Sequence, residues 1–259
     1  MLRLVLVLLV ACGGTRVRPE PGPFAPAGPV VIGQTYTLSS KALGETRRVH
    51  IYTPPKPGRY PVLYLLDGGP LEDFHHITGL AQVASVNGSM RELIVVGIES
   101  APNRKRDLAE RPAPFRRFVV DELVPEIERR YGTDGTTTLI GESLAGLFVV
   151  ETFLREPAAF DAYVAISPSL WWAEQAVAKE AAALLPAQPE GARSLYLAIA
   201  NEGTEMPEMQ TGMDTVVAAL KAGARSDLRW WYEPRPDETH ATIYHPTALI
   251  ALRRLFGSH

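Results

Sequence analysis

The chain has 259 residues, of which 46% are hydrophobic and 21% are charged, the composition of an ordinary globular protein. This length suits one large core, as in many single α/β domains. The formal net charge of −3 argues against a nucleic-acid partner, and the single cysteine, Cys12, excludes an intrachain disulfide.

Residues 1–12 are predicted to be an export segment. Arg3 supplies a positive start, and the apolar run over residues 4–10 is far shorter than the roughly 20 residues that span a bilayer, but it suits a secretory signal. Residues 9–12, Leu-Val-Ala-Cys, resemble the lipobox of bacterial lipoproteins. That resemblance implies a lipid on Cys12 and an exported protein anchored in the bacterial cell envelope, either periplasmic or in the outer membrane. The alternative is a buried first strand that contains an ordinary cysteine.

Residues 13–29 are rich in glycine and proline and are predicted to be a linker. The prolines stand at positions 19, 21, 23, 26 and 29, too densely for a helix or a central strand. Such a segment forms a semi-rigid spacer. Residues 30–259 are then left as one catalytic domain.

Strand-like and helix-like segments alternate from residue 30 onwards. Polar–apolar alternation predicts paired antiparallel strands at residues 34–39 and 47–53. Continuous apolar runs predict strands buried on both faces of a parallel sheet, at residues 61–66, 93–98, 137–140, 162–166 and 195–200, with a last strand at 228–233. Helices are predicted at residues 71–86, 114–131, 144–155, 171–185, 208–222 and 241–256. This order predicts an α/β fold, a mostly parallel central sheet with helices on both faces, whose sites form at the carboxyl ends of the strands.

A candidate nucleophile, Ser143, follows the predicted strand at residues 137–140. The segment Gly141-Glu-Ser-Leu-Ala-Gly146 resembles the G-x-S-x-G nucleophile elbow, in which a tight strand-to-helix turn presents the serine hydroxyl. Ala145 stands where the last glycine is expected, a small residue that still permits close packing. The alternative is a serine that only caps the helix.

A serine hydroxyl needs a general base, and in enzymes with this elbow the chain order is serine, acid, histidine. His240 follows the last predicted strand and is the preferred base, with His245 as the competitor. Two acids follow the strand at residues 195–200. We favour Glu205 over the alternate Glu202, and Asp214 inside the next helix is less suited.

The oxyanion of a tetrahedral intermediate requires backbone donors. The N–H of Leu144, directly after the serine, is one candidate. The loop that follows the strand at residues 61–66 supplies the other, from Gly68 or Gly69. The alternative for this loop is a plain turn.

Taken together, these segments resemble the esterase family that includes esterase D, feruloyl esterases and enterobactin (siderophore) esterases. The similar stretches lie at residues 62–68, 124–131, 141–146, 160–172, 203–205 and 240. The resemblance implies an α/β-hydrolase fold, no metal or other cofactor, and hydrolysis of a small-molecule ester through an acyl-enzyme. Within the family, the chain is most similar to the periplasmic siderophore-esterase-like hydrolases.

Two features suggest how such a substrate is bound. Trp171 and Trp172 offer an aromatic pocket wall for catechol or cinnamoyl rings, although a tryptophan pair is as often simple core. Arg104 and Arg106 follow the strand at residues 93–98, so they would lie at the site and could attract an anionic substrate. The alternative for these arginines is a solvated loop.

The leading hypothesis is therefore a serine carboxylic-ester hydrolase that acts on siderophore-like or aromatic acyl esters. An acyltransferase or peptidase on the same fold is the second hypothesis. The third is a non-catalytic, lipid-anchored ligand-binding protein. The sequence shows no metal-ligand cluster and does not indicate the oligomeric state.

Overall fold

A computed structural model describes residues 26–204 and 206–258. Eight strands form one sheet, and they are β1 Gln34–Ser40, β2 Glu45–Tyr52, β3 Val62–Leu66, β4 Ile94–Ile98, β5 Thr137–Glu142, β6 Ala162–Ile166, β7 Arg193–Ala200 and β8 Leu228–Arg235. Their order is β1-β2-β4-β3-β5-β6-β7-β8. The β1–β2 and β2–β4 pairs are antiparallel and the other pairs are parallel, so the predicted mostly parallel sheet is confirmed.

Within the described residues, seven α-helices lie between or after these strands, and they are α1 Phe74–Val86, α2 Pro112–Arg117, α3 Val124–Tyr131, α4 Leu144–Arg155, α5 Trp172–Leu184, α6 Pro207–Gly223 and α7 Tyr244–Phe256. They cover the sheet on both faces, as predicted. The alternation along β3 shows this, because Tyr64 packs into one core with α2 to α6 while Leu63 and Leu65 pack into the other with α1 and α7. All three side chains have no exposed surface.

The predicted helix at residues 114–131 is divided. Helices α2 and α3 are separated by a π-helical segment, Phe118–Leu123, and the N–H of Val124 donates to the carbonyl of Val119. Pro125 explains the wider turn, because proline has no N–H to continue the ordinary helical pattern. The side chains of Phe118 and Leu123 in this segment are buried in the core.

Residues Ile32–His259 cluster as one compact unit, which contains all of the strands and helices above. Residues 26–31 have no regular secondary structure. The predicted export segment with Cys12, and the predicted linker up to residue 25, lie outside the described residues. None of the helices in the described ranges combines the length and the apolar character needed to cross a membrane.

Candidate active site

Ser143 lies in a strained turn between β5 and α4. Its backbone angles are φ 59° and ψ −121°, a conformation that non-glycine residues rarely adopt outside functional turns. Its N–H donates to the carbonyl of Ile166 over 3.1 Å, which ties the turn to the end of β6. The turn also requires Gly141, because a Cβ there would lie 2.6 Å from the Cβ of Ala145. Because Gly141 has no side chain, the turn has room for the methyl group of Ala145, which stands at the position of the last motif glycine.

His240 lies between β8 and α7 with its ring against Ser143. Its Nε2 is 3.1 Å from the Ser143 Oγ, and its Nδ1 is 2.5 Å from the Oε1 of Glu202. The Glu202 side chain is only 4% exposed, whereas that of His240 is 42% exposed. The histidine is therefore accessible to solvent. The two loops are joined because the N–H of Asn201 donates to the carbonyl of Glu238 over 2.9 Å. Ser143, His240 and Glu202 are thus linked by two hydrogen bonds and form a triad.

The triad fixes the protonation pattern of the imidazole. An ionised Glu202 can only accept, so Nδ1 carries the proton and Nε2 of the neutral ring is an acceptor for the Ser143 hydroxyl. The hydrogen bond to Glu202 raises the pKa of His240, and the charges of Glu202 and Glu142 act in the same direction. Burial and the charge of Arg104 oppose this effect. The net result stabilises the imidazolium that forms when the ring accepts a proton.

Glu142, the residue before Ser143, is a second acid at this site. Its pKa is raised to about 7, mainly by burial; the charge of His240 lowers it, and the charges of Asp73, Asp67 and Glu202 contribute to the rise. Its Oε1 is buried and makes no hydrogen bond among the described residues. This carboxyl group therefore changes charge near neutral pH, beside the proposed nucleophile.

The other residues considered from the sequence lie elsewhere. His245 is exposed on α7, and its Nδ1 is 3.4 Å from the Nε2 of His76 rather than near Ser143. Asp214 accepts a hydrogen bond from Gln210 within α6. Glu205, the acid favoured from the sequence, lies outside the described residues. Within them, the acid that contacts His240 is Glu202.

The candidate oxyanion donors differ in their surroundings. Leu144 is the first residue of α4, so its N–H has no carbonyl partner within the helix. The N–H of Gly68 donates to the carbonyl of Ile98 over 2.9 Å. The N–H of Gly69 donates to the Oε2 of Glu72 over 2.7 Å. Both glycine donors are therefore engaged within the protein in this arrangement.

The two tryptophans considered for an aromatic wall pack against each other beside a cation. The rings of Trp171 and Trp172 are partly exposed and pack edge to face, with centroids 5.7 Å apart. The Nζ of Lys105 lies 5.3 Å from the centroid of the Trp172 ring. The negative face of the aromatic ring attracts a cation at this distance.

The two arginines considered for substrate binding are paired with carboxylates of the protein. The Nε of Arg104 donates to both oxygens of Asp67 at 2.9 Å, and Arg106 makes two hydrogen bonds to Glu45. Lys105, which belongs to the same basic run, carries the charge that lies over the Trp172 ring. Its place between two arginines in a loop after a strand gave no signal that would distinguish it.

Ser169, in the stretch at residues 160–172 that carries the family resemblance, also contacts Ser143. Its Oγ lies 3.3 Å from the Ser143 Oγ, and its side chain is buried. It belongs to the segment at residues 167–172, which was noted for its tryptophans. A serine two residues before a tryptophan pair carries no motif of its own, so only the fold could place it.

The strand order, the elbow and the triad define an α/β-hydrolase fold. The chain belongs to the family described as "Putative esterase", whose model matches residues 40–228. It is 34% identical to the ferri-bacillibactin esterase BesA of Bacillus subtilis over 171 residues, 52% of this chain and 58% of that protein. It is 23% identical to the iron(III) salmochelin esterase of Escherichia coli over 226 residues, 77% of this chain and 55% of that protein. The chain thus spans little more than half the length of these two relatives.

The fold is similar to that of a solved structure. The IroE-like serine hydrolase of Shewanella oneidensis superimposes with a TM-score of 0.73 at 25% identity. The superposition covers 86% of this chain and 80% of that one. The fold predicted from the sequence, and the resemblance to siderophore-related esterases, are confirmed by these comparisons.

Proposed function

We propose that this protein is a serine carboxylic-ester hydrolase in which Ser143 is the nucleophile, His240 the general base and Glu202 the acid. The observation that carries the proposal is the triad itself, with contacts of 3.1 Å and 2.5 Å in one continuous series. The strained turn at Ser143 and membership of the esterase family support it. Glu202 is proposed as the acid because it contacts the imidazole, whereas Glu205, the acid favoured from the sequence, lies outside the described residues.

The proposed reaction has two halves. His240 Nε2 takes the proton of Ser143 as its Oγ attacks the ester carbonyl, and Glu202 stabilises the resulting imidazolium. The imidazolium then protonates the departing alcohol, which leaves an acyl group on Ser143. His240 next deprotonates a water molecule, which attacks the acyl carbon and releases the acid.

The oxyanion of each tetrahedral intermediate is proposed to accept from the N–H of Leu144. Its position at the first residue of α4 places it at the positive end of the helix dipole. Gly69 is the proposed second donor, and Gly68 is less suited because its N–H is bonded to the carbonyl of Ile98. Gly69 can donate only when the Glu72 carboxylate releases its N–H.

The proposed substrates are siderophore-like or aromatic acyl esters. Two relatives are named as esterases of iron-loaded siderophores, ferri-bacillibactin and iron(III) salmochelin. The exposed faces of Trp171 and Trp172 would stack on an aromatic acyl group, and Lys105 would attract an anionic one.

Hydrolysis of p-nitrophenyl acetate and butyrate by the purified chain tests the proposal. We expect Ser143→Ala and His240→Ala each to lower kcat by about 10⁴-fold, because the members of such a triad act as a unit. His245→Ala is the matched control and should retain activity. Turnover that persists in Ser143→Ala, or a folded wild type that a fluorophosphonate does not label, would contradict the proposal. Alcohol and amine acceptors in the same assay distinguish hydrolysis from acyl transfer.

The proposed location is the bacterial cell envelope, through export and a lipid on Cys12. The support is the sequence pattern of residues 1–12, followed by the proline-rich linker. Metabolic labelling with a fatty acid tests it, and Cys12→Ala should abolish the label and release the protein from the membrane fraction. Labelling that survives Cys12→Ala would contradict a lipid at this residue.

A further inference from the structure

Ser169 is a buried hydroxyl that touches the proposed nucleophile. It lies in the loop after β6 and is only 3% exposed. Its Oγ is 3.3 Å from the Ser143 Oγ, and its N–H donates to the carbonyl of Ser143 over 2.9 Å. The N–H of Trp172 in turn donates to the carbonyl of Ser169 over 3.0 Å. Ser169 is thus bonded to Ser143 through both its main chain and its side chain.

The direction of the hydroxyl contact follows from the triad. Because Glu202 holds the proton on His240 Nδ1, the neutral Nε2 can only accept, and the Ser143 hydroxyl must donate to it. The single proton of Ser143 is then committed, which leaves lone pairs on its Oγ. The contact between the two serines therefore has Ser169 as the donor and Ser143 as the acceptor. A buried hydroxyl requires a partner, and Ser143 Oγ is the one that the described residues provide for Ser169.

We propose that Ser169 is a positioning residue, which donates a hydrogen bond to Ser143 Oγ and holds that oxygen in line with His240. The proposal rests on the proposed function, in which Ser143 is the nucleophile. Two bonds fix the Ser143 side chain, one donated to His240 and one accepted from Ser169, so its rotation away from the base is opposed. As the Ser143 proton moves to His240, negative charge develops on Oγ and strengthens the bond from Ser169. The Ser169 proton stays on Ser169 throughout.

The test compares Ser169→Ala with the pair Ser169→Thr and Ser169→Val in the full chain. Threonine and valine have nearly the same shape, and only threonine keeps the hydroxyl. Thr138→Val is the matched control, because it removes a buried β5 hydroxyl that has no hydrogen-bond partner among the described residues and belongs to the strand that leads to Ser143. The measurements are the second-order rate of fluorophosphonate labelling at Ser143, kcat and KM for a p-nitrophenyl ester, and Tm.

We expect Ser169→Ala and Ser169→Val to label about tenfold more slowly than the wild type, the effect of one lost hydrogen bond. The loss should appear in kcat with KM unchanged, and Ser169→Thr should recover most of it relative to Ser169→Val. Thr138→Val should label at the wild-type rate. The proposal is overturned if Ser169→Ala labels and turns over like the wild type, or if threonine and valine behave alike. If both larger residues prevent folding, the kcat and KM of Ser169→Ala decide alone. A wild type that is neither labelled nor active would instead reject the proposed function itself.

Discussion

The two halves of the candidate site are organised differently. On one side, the loops that follow β5, β6, β7 and β8 bring Ser143, Ser169, Glu202 and His240 into direct hydrogen-bond contact. On the other side, the loop that follows β3 directs the N–H of Gly69 to an internal carboxylate. The first half, called the assembled half, also contains the N–H of Leu144, whereas in the second, the occupied half, the proposed second oxyanion donor Gly69 is bonded to a carboxylate.

The carboxylate bonded to the Gly69 N–H belongs to Glu72. Its carboxylate accepts hydrogen bonds from the N–H groups of Gly69, Ser100 and Ala101, at 2.7, 3.3 and 3.2 Å. It therefore joins the loop after β3 to the loop after β4. A substrate oxyanion at Gly69 would have to displace this carboxylate, so the proposed proton transfer and the proposed second oxyanion contact depend on different loops.

The strongest way to break the assembled half is to remove the charge that orients His240. We expect Glu202→Gln to lower kcat by about 10²–10⁴-fold, because glutamine does not stabilise the imidazolium or select its tautomer. The general base must be neutral, so activity falls as the pH drops below the raised pKa of His240. Loss of the bond to Glu202 lowers that pKa, and the acidic limb of the kcat/KM profile should move to lower pH.

Glu205→Gln is the matched control for this variant, and kcat should stay within about threefold of the wild type, because Glu202 and not Glu205 is the acid of the proposed triad. A large loss in Glu205→Gln together with a small one in Glu202→Gln would reverse the assignment of the acid. The pH–rate profile of each variant then decides which carboxylate acts on His240.

The occupied half is probed by Glu72→Ala. Loss of the carboxylate leaves three backbone N–H groups without their acceptor, and we expect the free energy of unfolding to fall by about 2 kcal/mol. For a chain of this size that is a decrease in Tm of about 4–8 °C. Fluorophosphonate labelling of Ser143 should stay within about threefold of the wild type, because no member of the triad bonds to Glu72. A collapse of labelling at unchanged Tm would show that the two halves are not independent.

The difference between the halves also explains what could be predicted from the sequence. Ser143 and His240 were predictable because each follows a recognisable strand, and the fold brings strand ends to one edge. The choice of acid was not, because Glu202 and Glu205 both follow the predicted strand at residues 195–200. The Asn201 N–H donates to the carbonyl of Glu238, which joins the loop after β7 to the loop after β8 and accompanies the contact of Glu202 with His240.

The partners of individual side chains were the other feature that the sequence could not predict. The pattern placed Arg104 and Arg106 correctly in the loop after β4, but their partners come from other strands, Asp67 after β3 and Glu45 on β2. Gly69 was placed in the right loop, yet nothing local shows that Glu72 turns back onto its N–H. Periodicity identifies elements and strand ends, whereas contacts between loops depend on the packed structure.

The smallest expected effect is that of a substitution at Glu142, whose carboxyl group interacts with charged residues of both halves. Its neighbours are Asp67 after β3, Asp73 before α1, Glu202 after β7 and His240 after β8. Its pKa is raised to about 7 in the folded protein, above the value of an ordinary glutamate, so the folded state binds this proton more tightly than the unfolded state. The stabilising effect is complete below the unfolded pKa and is lost as the pH rises towards 7. At pH 8 the wild type therefore carries an unfavourable buried charge.

Glu142→Gln removes that charge at every pH. We expect its Tm to exceed that of the wild type by about 2–4 °C more at pH 8 than at pH 5, as measured by thermal unfolding in matched buffers. The same substitution removes a negative charge that raises the pKa of His240, so the acidic limb of kcat/KM should move slightly to lower pH. An equal change in Tm at both pH values would mean that Glu142 does not titrate between them, and the carboxyl group would then act through packing alone.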